Sequence, residues 1–449
     1  MRKKLVLLSF VLLVNLGFAQ QKSAHSFTLE EAISFAIDSN YTAINARRDI
    51  AIALKKKWET TATGLPQIDA SIQYQNQLKQ PVIFIPAELS GGEPGTFTAA
   101  TFGASQTTTA TATLNQLIFD GSYLVGLQAA KAFLNFSENA SEKTNLEVRK
   151  GVINAYGSVL LSEELVAIFE KNKINLEKNL FETRKVFENG LEEEESVEQL
   201  EITLLDIETQ LSNAKRTQKI ANQMFNIALG IDVASPVTLT ENLDDLAEQN
   251  ISLVFMDTAL TMENNIDYKI AYNFTEQRSL ELKLEKSRAL PRLSAFVNYG
   301  TQANSDDFSF LDSDLPWFQS SVLGATLNIP IFSSGMRSAK TQQARIALDQ
   351  AETQLKETVQ QVELALNTAK SNYTFAIENY ENSKKNLNLA ERIETKNQVK
   401  FTEGLASSFE LRQAQSQLYN AQQQYFQAML NVINTKAELE TVLNTPNFN

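Results

Sequence analysis

Carboxylates are the most concentrated reactive groups in this chain of 449 residues, and the densest run is Glu192–Glu195. Paired carboxylates can serve as a general acid and a general base, or they can hold a cation. The surrounding residues follow the period of amphipathic helices, whose carboxylates usually face water. The run therefore indicates a solvated helix face before it indicates a reactive centre.

Other catalytic and metal-binding patterns are missing from the sequence. His25 is the single histidine, and there is no cysteine, so a metal centre, a disulfide and thiol chemistry are all disfavoured. We expect His25 to lie in a disordered N-terminal tail. No nucleotide-binding glycine-rich loop and no nucleophile elbow occurs. We assign no catalytic residue, no metal and no cofactor, and we expect the protein not to be an enzyme.

The net charge and the N-terminus indicate an exported protein. The formal charge is −13, which argues against nucleic acid as a partner. Basic residues in Met1–Lys4 precede an apolar run, Leu5–Val14, and small residues follow at Gly17–Ala19. This pattern predicts a secretory signal over residues 1–19. The apolar run is shorter than the roughly 20 residues that span a bilayer, and no later segment reaches that length, so we predict no transmembrane helix.

The sequence contains one unit twice. Three blocks recur in the same order after 213 to 225 residues: Gly64–Ile68 with Ala289–Leu293, Leu114–Gly121 with Leu327–Gly335, and Phe187–Leu191 with Phe401–Leu405. A repeat of this length is a whole structural unit built twice. We predict repeat one over 20–230, a linker over 231–256, repeat two over 257–442 and a C-terminal tail over 443–449.

Most of each repeat is predicted to be helical, because 16 glycines and 9 prolines are few for a chain of this length. The first helix should run from Thr28 to about Thr61. The two long helices are predicted over 122–188 and 336–402, each about 100 Å long at ~1.5 Å per residue, and the return helices over 192–229 and 406–442. The second long helix has the 4,3 spacing of a coiled coil at Leu355, Val359, Val362, Leu366, Ala369, Tyr373, Ala376 and Tyr380. Its return helix should bury one stripe: Ala414, Leu418, Ala421, Tyr425, Ala428, Val432, Thr435, Leu439 and Val442. The other faces should meet water.

Each repeat also predicts one strand hairpin, over 67–119 and 292–332. Apolar and polar residues alternate, and each strand is long enough to cross a bilayer, which takes about 9–11 tilted residues. The connection over 77–105 is predicted to be a loop. An ordinary hairpin on a soluble core is the alternative. If the strands are in lipid, four of them cannot close a barrel, since the smallest membrane barrels have about eight, so the chain must be at least a dimer.

The ordered set of paired motifs resembles the TolC-type outer-membrane efflux channels. The segments that carry the resemblance are Phe27–Ile33, the Leu-Pro strand starts at Pro66 and Pro291, the strand ends Ile118–Gly121 and Ile331–Gly335, and the two Gly-Leu turns. Together they cover essentially the whole chain after the signal.

The resemblance implies an α+β membrane protein that forms a homotrimer. Each chain would supply four strands to a 12-stranded β-barrel in outer-membrane lipid, and its long antiparallel coiled-coil helices would form an α-helical barrel across the periplasm. The linker over 231–256 and the C-terminal tail would form an equatorial belt. Partners would be a periplasmic adaptor and an inner-membrane pump of the RND, ABC or a similar class.

The resemblance also assigns roles to particular residues. The adaptor-docking tip would be Gly190, Leu191, Gly404 and Leu405. The periplasmic aperture would use Glu198, Glu201, Glu410 and Gln413, and the acidic run Glu192, Glu193, Glu194 and Glu195 would lie beside it, where an acidic ring favours cations. Ala406 replaces a basic residue of the family, so the usual salt-bridge closure is not expected. The strand pattern itself suggests Tyr299, Trp317 and Phe318 for an aromatic membrane girdle.

The predicted function is therefore a passive outer-membrane exit duct of a tripartite efflux or secretion system, driven by its pump and adaptor. The alternative is a periplasmic coiled-coil adaptor with soluble hairpins, which would need no lipid-facing apolar band.

Overall fold

The computed structural model describes residues 25–251 and 261–444. The predicted signal over 1–19, part of the linker and the end of the C-terminal tail lie outside these residues. The chain divides into two compact units. We call them the helical unit (Met1–Ile50, Phe136–Tyr272 and Thr353–Asn449) and the strand unit (Ala51–Asn135 and Asn273–Glu352).

The longest elements of the chain are helices. In chain order the helices and strands are β1 (His25–Phe27), α1 (Leu29–Ser39), α2 (Tyr41–Ala62), β2 (Gln67–Asn76), β3 (Val82–Pro86), β4 (Phe97–Thr101), β5 (Gln106–Asp120), α3 (Gly121–Glu188), α4 (Glu194–Leu229), β6 (Val237–Leu239), α5 (Leu243–Gln249), α6 (Ile266–Ser287), β7 (Arg292–Ser305), β8 (Phe318–Asn328), α7 (Met336–Thr402) and α8 (Ser408–Leu443). Short 3₁₀ turns occur at Ala87–Ser90 and Met262–Asn264.

The first predicted helix is two helices, because Asn40 interrupts it. Thr28 starts α1 with a capping box that includes Glu31. Asn40 is extended, and its side-chain oxygen accepts from the backbone N–H of Thr42 at 2.8 Å, which caps the start of α2. The single helix predicted from Thr28 to about Thr61 was wrong, since an asparagine that can cap a helix start also ends the helix before it.

The helical unit is held by a core that we call the mid-helix core. Its large, fully buried members are Tyr156, Phe225, Leu229, Leu243, Tyr373, Met429, Ile433 and Leu439. The strand β1 pairs with β6 in parallel, and the Tyr156 hydroxyl donates to the carbonyl of Phe27 at 3.1 Å. His25 thus lies in a strand rather than in a disordered tail. Buried in the same region, Arg149 and Glu440 form an ion pair at 2.7 Å.

The helix α3 contains an 18-residue stretch with a mean hydropathy of 1.4, the one helix of the described ranges that is long and apolar enough to be considered as a membrane span. Of that stretch, 44% is buried. Because α3 supplies Val152, Ile153 and Tyr156 to the mid-helix core, we interpret it as a core helix.

The seam predicted on α7 is buried or half-buried throughout, as is the stripe predicted on α8. The expectation that the return helix buries only one stripe was wrong for α8. A second stripe on this helix is also buried: Ser408, Leu411, Gln415, Gln422, Met429 and Ile433. A helix with two buried stripes must pack against more than one neighbour.

The strand unit contains a four-stranded antiparallel sheet in the order β2-β5-β7-β8. Residues paired across antiparallel strands share a face, so the register aligns Ile68, Leu114, Val297 and Leu323 in one apolar row. The loop predicted over 77–105 was partly wrong: it contains a separate two-stranded hairpin of β3 and β4.

The two exits from this sheet differ. The strand β5 ends at Asp120 and α3 begins at the next residue, with the Asp120 carboxylate accepting from the backbone N–H of Ser122 at 2.7 Å. A Cβ at Gly121 would lie 2.6 Å from the end of the Leu290 side chain, so a larger residue at this junction would require that side chain to move. In contrast, β8 ends at Asn328, earlier than the predicted 332, and several non-helical residues precede α7.

Candidate docking turns and barrel strands

The two Gly-Leu turns are helix C-caps of one kind. Gly190 has φ +75°, and its N–H donates to Phe187 at 2.8 Å while the next N–H, that of Leu191, donates to Val186 at 3.1 Å. This is the Schellman arrangement, which favours glycine because the conformation is left-handed.

The turn of the second repeat repeats this geometry. Gly404 has φ +71° and donates to Phe401 at 3.0 Å, and Leu405 donates to Lys400 at 2.7 Å. The conformation of the turn explains both glycines without any partner.

The leucines of the two turns are not explained by packing within the chain. Leu191 and Leu405 are each 78% exposed. Each turn therefore presents one large apolar side chain to solvent.

The return helices begin differently. In the second repeat Ser407 caps α8 through a capping box, in which Glu410 accepts from the Ser407 backbone N–H at 2.9 Å. This hydrogen bond holds the pKa of the Glu410 carboxyl below its usual value. In the first repeat Glu193 precedes α4 with no side-chain cap. The sequence contains the Ser-x-x-Glu signature of this capping box, whereas the family resemblance assigns Glu410 only to the aperture.

The predicted aperture residues differ in whether neighbouring groups hold their side chains. Glu410 is engaged in the cap, and Glu201 forms an ion pair with Arg184 of the same hairpin. Glu198 and Gln413 are exposed.

In the acidic run, two of the four carboxylates accept a hydrogen bond from a neighbouring side chain. Glu192 accepts from the Ser196 hydroxyl at 2.6 Å and Glu195 from the Gln199 amide at 2.8 Å. Glu193 and Glu194 are exposed. These two, with Glu198, are the freest carboxylates near the first turn.

The starts of the two return helices lie side by side. The hydroxyls of Ser196 and Ser408 are 2.8 Å apart and buried. Beside them a hollow of about 530 Å³ is lined by Gly190 and Leu191 of the first turn and by Ser407, Ser408 and Phe409 at the start of α8. Gly404 and Leu405 of the second turn do not line this hollow.

Polar pairs continue from the turns along the helices. The amide of Asn179 exchanges hydrogen bonds with Gln398 at 3.1 and 3.2 Å, and Asn172 donates to Gln422 at 3.1 Å. All of these pairs join helices of different repeats. Sequence reasoning missed them because an isolated amide on a helix reads as a solvated residue.

Among the residues that the structure describes, the four-stranded sheet has two free edges. All ten residues of β2 are exposed, and β2 and β8 each have one neighbour in the sheet. The face opposite the apolar row is largely polar: Asn298 donates to the Thr113 hydroxyl at 3.1 Å. On this face Phe296 lies over Gly324, where a Cβ would meet its ring at 2.4 Å.

The three predicted girdle residues do not share one face. Tyr299 pairs with Ser321 and lies on the apolar face, whereas Phe318 pairs with Gln302 and lies on the opposite one. Trp317 precedes β8. Tyr299 and Phe318 therefore cannot belong to the same lipid-facing band.

An aromatic cluster that sequence reasoning missed lies at the end of the sheet where β8 begins. Tyr74 contacts Phe308 and Phe310 with ring centroids 5.7 Å apart in each pair. Tyr74 lies on the apolar face, in line with Thr108 and Ala303, both of which are buried. The loop residues could not be placed from period alone, because they follow the end of β7.

Within the described ranges no group of three or more histidine, cysteine or acidic side chains is placed to hold a metal ion. The aspartates after β7 act locally instead. Asp306, for example, accepts from the backbone N–H of Ser105 at 2.9 Å.

Comparison with known proteins gives a consistent result. Residues 46–230 and 271–445 match the family described as "Outer membrane efflux protein". No curated protein matches the chain.

Several solved structures share the fold at low sequence identity. VceC from Vibrio cholerae is 16% identical, with 92% of this chain and 95% of that one covered and a TM-score of 0.70. The CmeC channel of Campylobacter jejuni is 15% identical over 92% and 85%, with a TM-score of 0.74. The open MtrE channel of Neisseria gonorrhoeae is 15% identical over 92% and 88%, with a TM-score of 0.70.

Proposed function

The chain belongs to the outer membrane efflux protein family, and on that premise we propose that three copies close one 12-stranded barrel. Members of the family are passive channels, not enzymes. The protein is an outer-membrane exit duct of a tripartite efflux system and extends into the periplasm. The adaptor alternative has no support from the family or from the fold.

One observation carries the barrel proposal: a four-stranded sheet with both outer edges free. Lipid tolerates no unpaired strand edge, and four strands are too few to close, so β2 of one copy must pair with β8 of another. The apolar row that includes Ile68 and Leu323 then faces lipid, and the face with Thr113 and Asn298 lines water. The cluster of Tyr74, Phe308 and Phe310 supports a membrane boundary at its end of the sheet.

The trimer is tested by the mass of the detergent-solubilised protein and by its conductance in planar bilayers. We expect a particle of three chains that forms pores of reproducible conductance. A single chain that stays in solution without detergent and gives no conductance would overturn the proposal.

The duplicated organisation is part of the same proposal. The two stretches that match the family, 46–230 and 271–445, overlap the predicted repeats over 20–230 and 257–442. The segment over 231–256 and the C-terminal tail would form the belt. The contribution of β6 and Leu243 to the mid-helix core supports this placement.

The docking proposal rests on the exposed leucines. We propose that an adaptor contacts Leu191 and Leu405, while Gly190 and Gly404 only hold the turns. The double variant L191S/L405S should abolish adaptor co-purification and export without changing the unfolding midpoint. Leu89 is equally exposed, at 78%, so L89S is the matched control and should leave both intact. Unaltered adaptor binding by the double variant would refute this assignment.

The free carboxylates near the first turn provide the proposed ion preference. Three copies of Glu193, Glu194 and Glu198 would form an acidic ring that favours cations. We expect E193Q/E194Q/E198Q to lower the cation preference of the pore, and the charge-retaining E193D/E194D/E198D to keep it. Equal selectivity in the two triple variants would place these charges outside the ion path.

A further inference from the structure

The connection between β2 and β5 carries an unusual density of exposed apolar side chains. Leu78 is 95% exposed, Phe84 72% and Phe97 69%. Further exposed residues of the segment are Val82, Ile83, Leu89 and Phe102. A surface with this much apolar area normally has a partner.

Backbone hydrogen bonds give this segment a defined structure. The backbone N–H of Gln77 donates to Ser105 at 2.8 Å, which continues the β2–β5 ladder, and five residue pairs then join β3 to β4. At the far turn the Glu88 carboxylate accepts from the backbone N–H of Gly95 at 2.9 Å. An isolated two-stranded hairpin is marginal in water, so these fixed apolar side chains require a further contact.

One face of the hairpin is the more exposed. Phe84 is opposite Ala99 and Pro86 is opposite Phe97, so Val82, Phe84 and Phe97 share a face. Thr98 lies on the other face. The chemistry is apolar, since the connection over 77–105 contains only three charged residues: Lys79, Glu88 and Glu93.

The position of the hairpin indicates what covers it. It grows from the end of β2, one outer strand of the sheet, at the same end where β8, the other outer strand, begins. Just before β8 a second set of apolar residues is exposed: Leu311 at 89% and Trp317 at 37%. When β2 of one copy pairs with β8 of the next, these two sets become neighbours.

We propose that Leu78 and the Val82–Phe84–Phe97 face pack against the Leu311–Trp317 turn of an adjacent copy, sealing the seam between copies beyond the paired strands. This inference rests on the proposed trimer. It makes the hairpin a clamp between subunits, and its occupant is a second copy of this chain.

Cysteine cross-linking tests the clamp directly, because the chain contains no native cysteine. L78C and L311C are introduced into separate, differently tagged chains and co-expressed, so that any bismaleimide product joins two copies. The control pairs L78C with I331C. Ile331 is 87% exposed but lies beyond the other end of β8. We expect a strong cross-link with L311C and only background with I331C.

The mass of the particles separates the two ways to fail. Particles of three chains without the L78C–L311C product would overturn the clamp alone. Labelling of L78C by a lipid-borne maleimide in such particles would assign the face to lipid and would also overturn it. Absence of a three-chain particle would instead refute the proposed function.

A second pair of variants tests which face of the hairpin contacts the adjacent copy. F84D should lower the temperature at which the trimer dissociates, with conductance unchanged, because it places a charge in the seam. T98D adds the same charge to the other face and should leave that temperature at its original value. Equal effects of the two variants would show that neither face is selected.

Discussion

The mid-helix core and the tip end of the same helices both bury apolar side chains, but the tip end adds regularly spaced polar ones. In the core, Tyr156, Tyr373 and Met429 are completely buried. Towards the tips, buried positions repeatedly hold polar residues: Asn172, Asn179 and Thr183 on α3, and Ser408, Gln415 and Gln422 on α8. Apolar burial is strong but undirected, whereas amide and hydroxyl pairs are directional and can exchange their partners for water.

The spacing of these polar residues explains what they do. Ser408, Gln415 and Gln422 are seven residues apart, as are Asn172 and Asn179, so each occupies the same heptad position. A polar residue in a coiled-coil seam fixes register at a cost in stability. Apolar burial therefore stabilises both regions, and the polar positions towards the tips add alignment between the helices.

The largest expected effect tests the core. In E440A the Arg149 guanidinium loses its buried partner, and removing one member of such a pair costs about 3–5 kcal/mol. Urea unfolding of the solubilised protein measures this loss. The double change R149M/E440L removes both charges of this pair and should restore part of the stability, because Lys436, 3.7 Å from Glu440, also loses a carboxylate. A loss as small as that of a tip variant would break the comparison.

The next effect concerns the turn glycines. G404A forces an alanine into a left-handed conformation and should cost about 1–2 kcal/mol.

Gly151 supplies the matched control, because it lies inside α3 with open space around its Cα. G151A should stabilise by about 0.5–1 kcal/mol. Differential scanning calorimetry of both variants measures whether each change lowers or raises the unfolding temperature. A stabilising G404A would mean that the turn is not held as described.

A smaller effect is expected at the polar seam. N179A leaves the Gln398 amide without its partner and should cost about 1 kcal/mol. N179L/Q398L should recover that stability and yet reduce the opening of the tip, measured as pore conductance. Full conductance in the double variant would show that this pair does not set alignment.

The smallest effect is at the cap of α8. E410A removes the acceptor for the Ser407 N–H and should speed hydrogen exchange in the first turn, whereas E410Q keeps an acceptor without the charge and should speed it less.

The same cap has a pH dependence of known sign. The pKa of the Glu410 carboxyl is lowered in the folded protein, so its contribution is present at neutral pH and is lost as pH falls through that lowered pKa. Exchange in the first turn should therefore increase in acid in the native protein and stay pH-independent, after correction for intrinsic rates, in E410A.

The long elements were predictable because their signals are long. Heptads over dozens of residues and strands with period two leave few alternatives, and the Gly-Leu turns repeat in both halves. The prediction was wrong at Asn40, because one side chain that caps the next helix divides the predicted helix into α1 and α2. Partner identity was invisible elsewhere: nothing near Asn179 in sequence indicates Gln398, and Glu410 carries the same carboxylate whether it caps a helix or lines an aperture. The distal aromatic contacts of Tyr74 depend on a turn whose path no periodicity encodes.

The direct passage from β5 into α3 has a mechanical consequence. Asp120 ends β5 and Gly121 begins α3, so no loop separates this strand from its helix, whereas residues 329–335 separate β8 from α7. A rotation of the first turn of α3 therefore acts directly on the end of β5, while the connection after Asn328 lets β8 and α7 turn more independently.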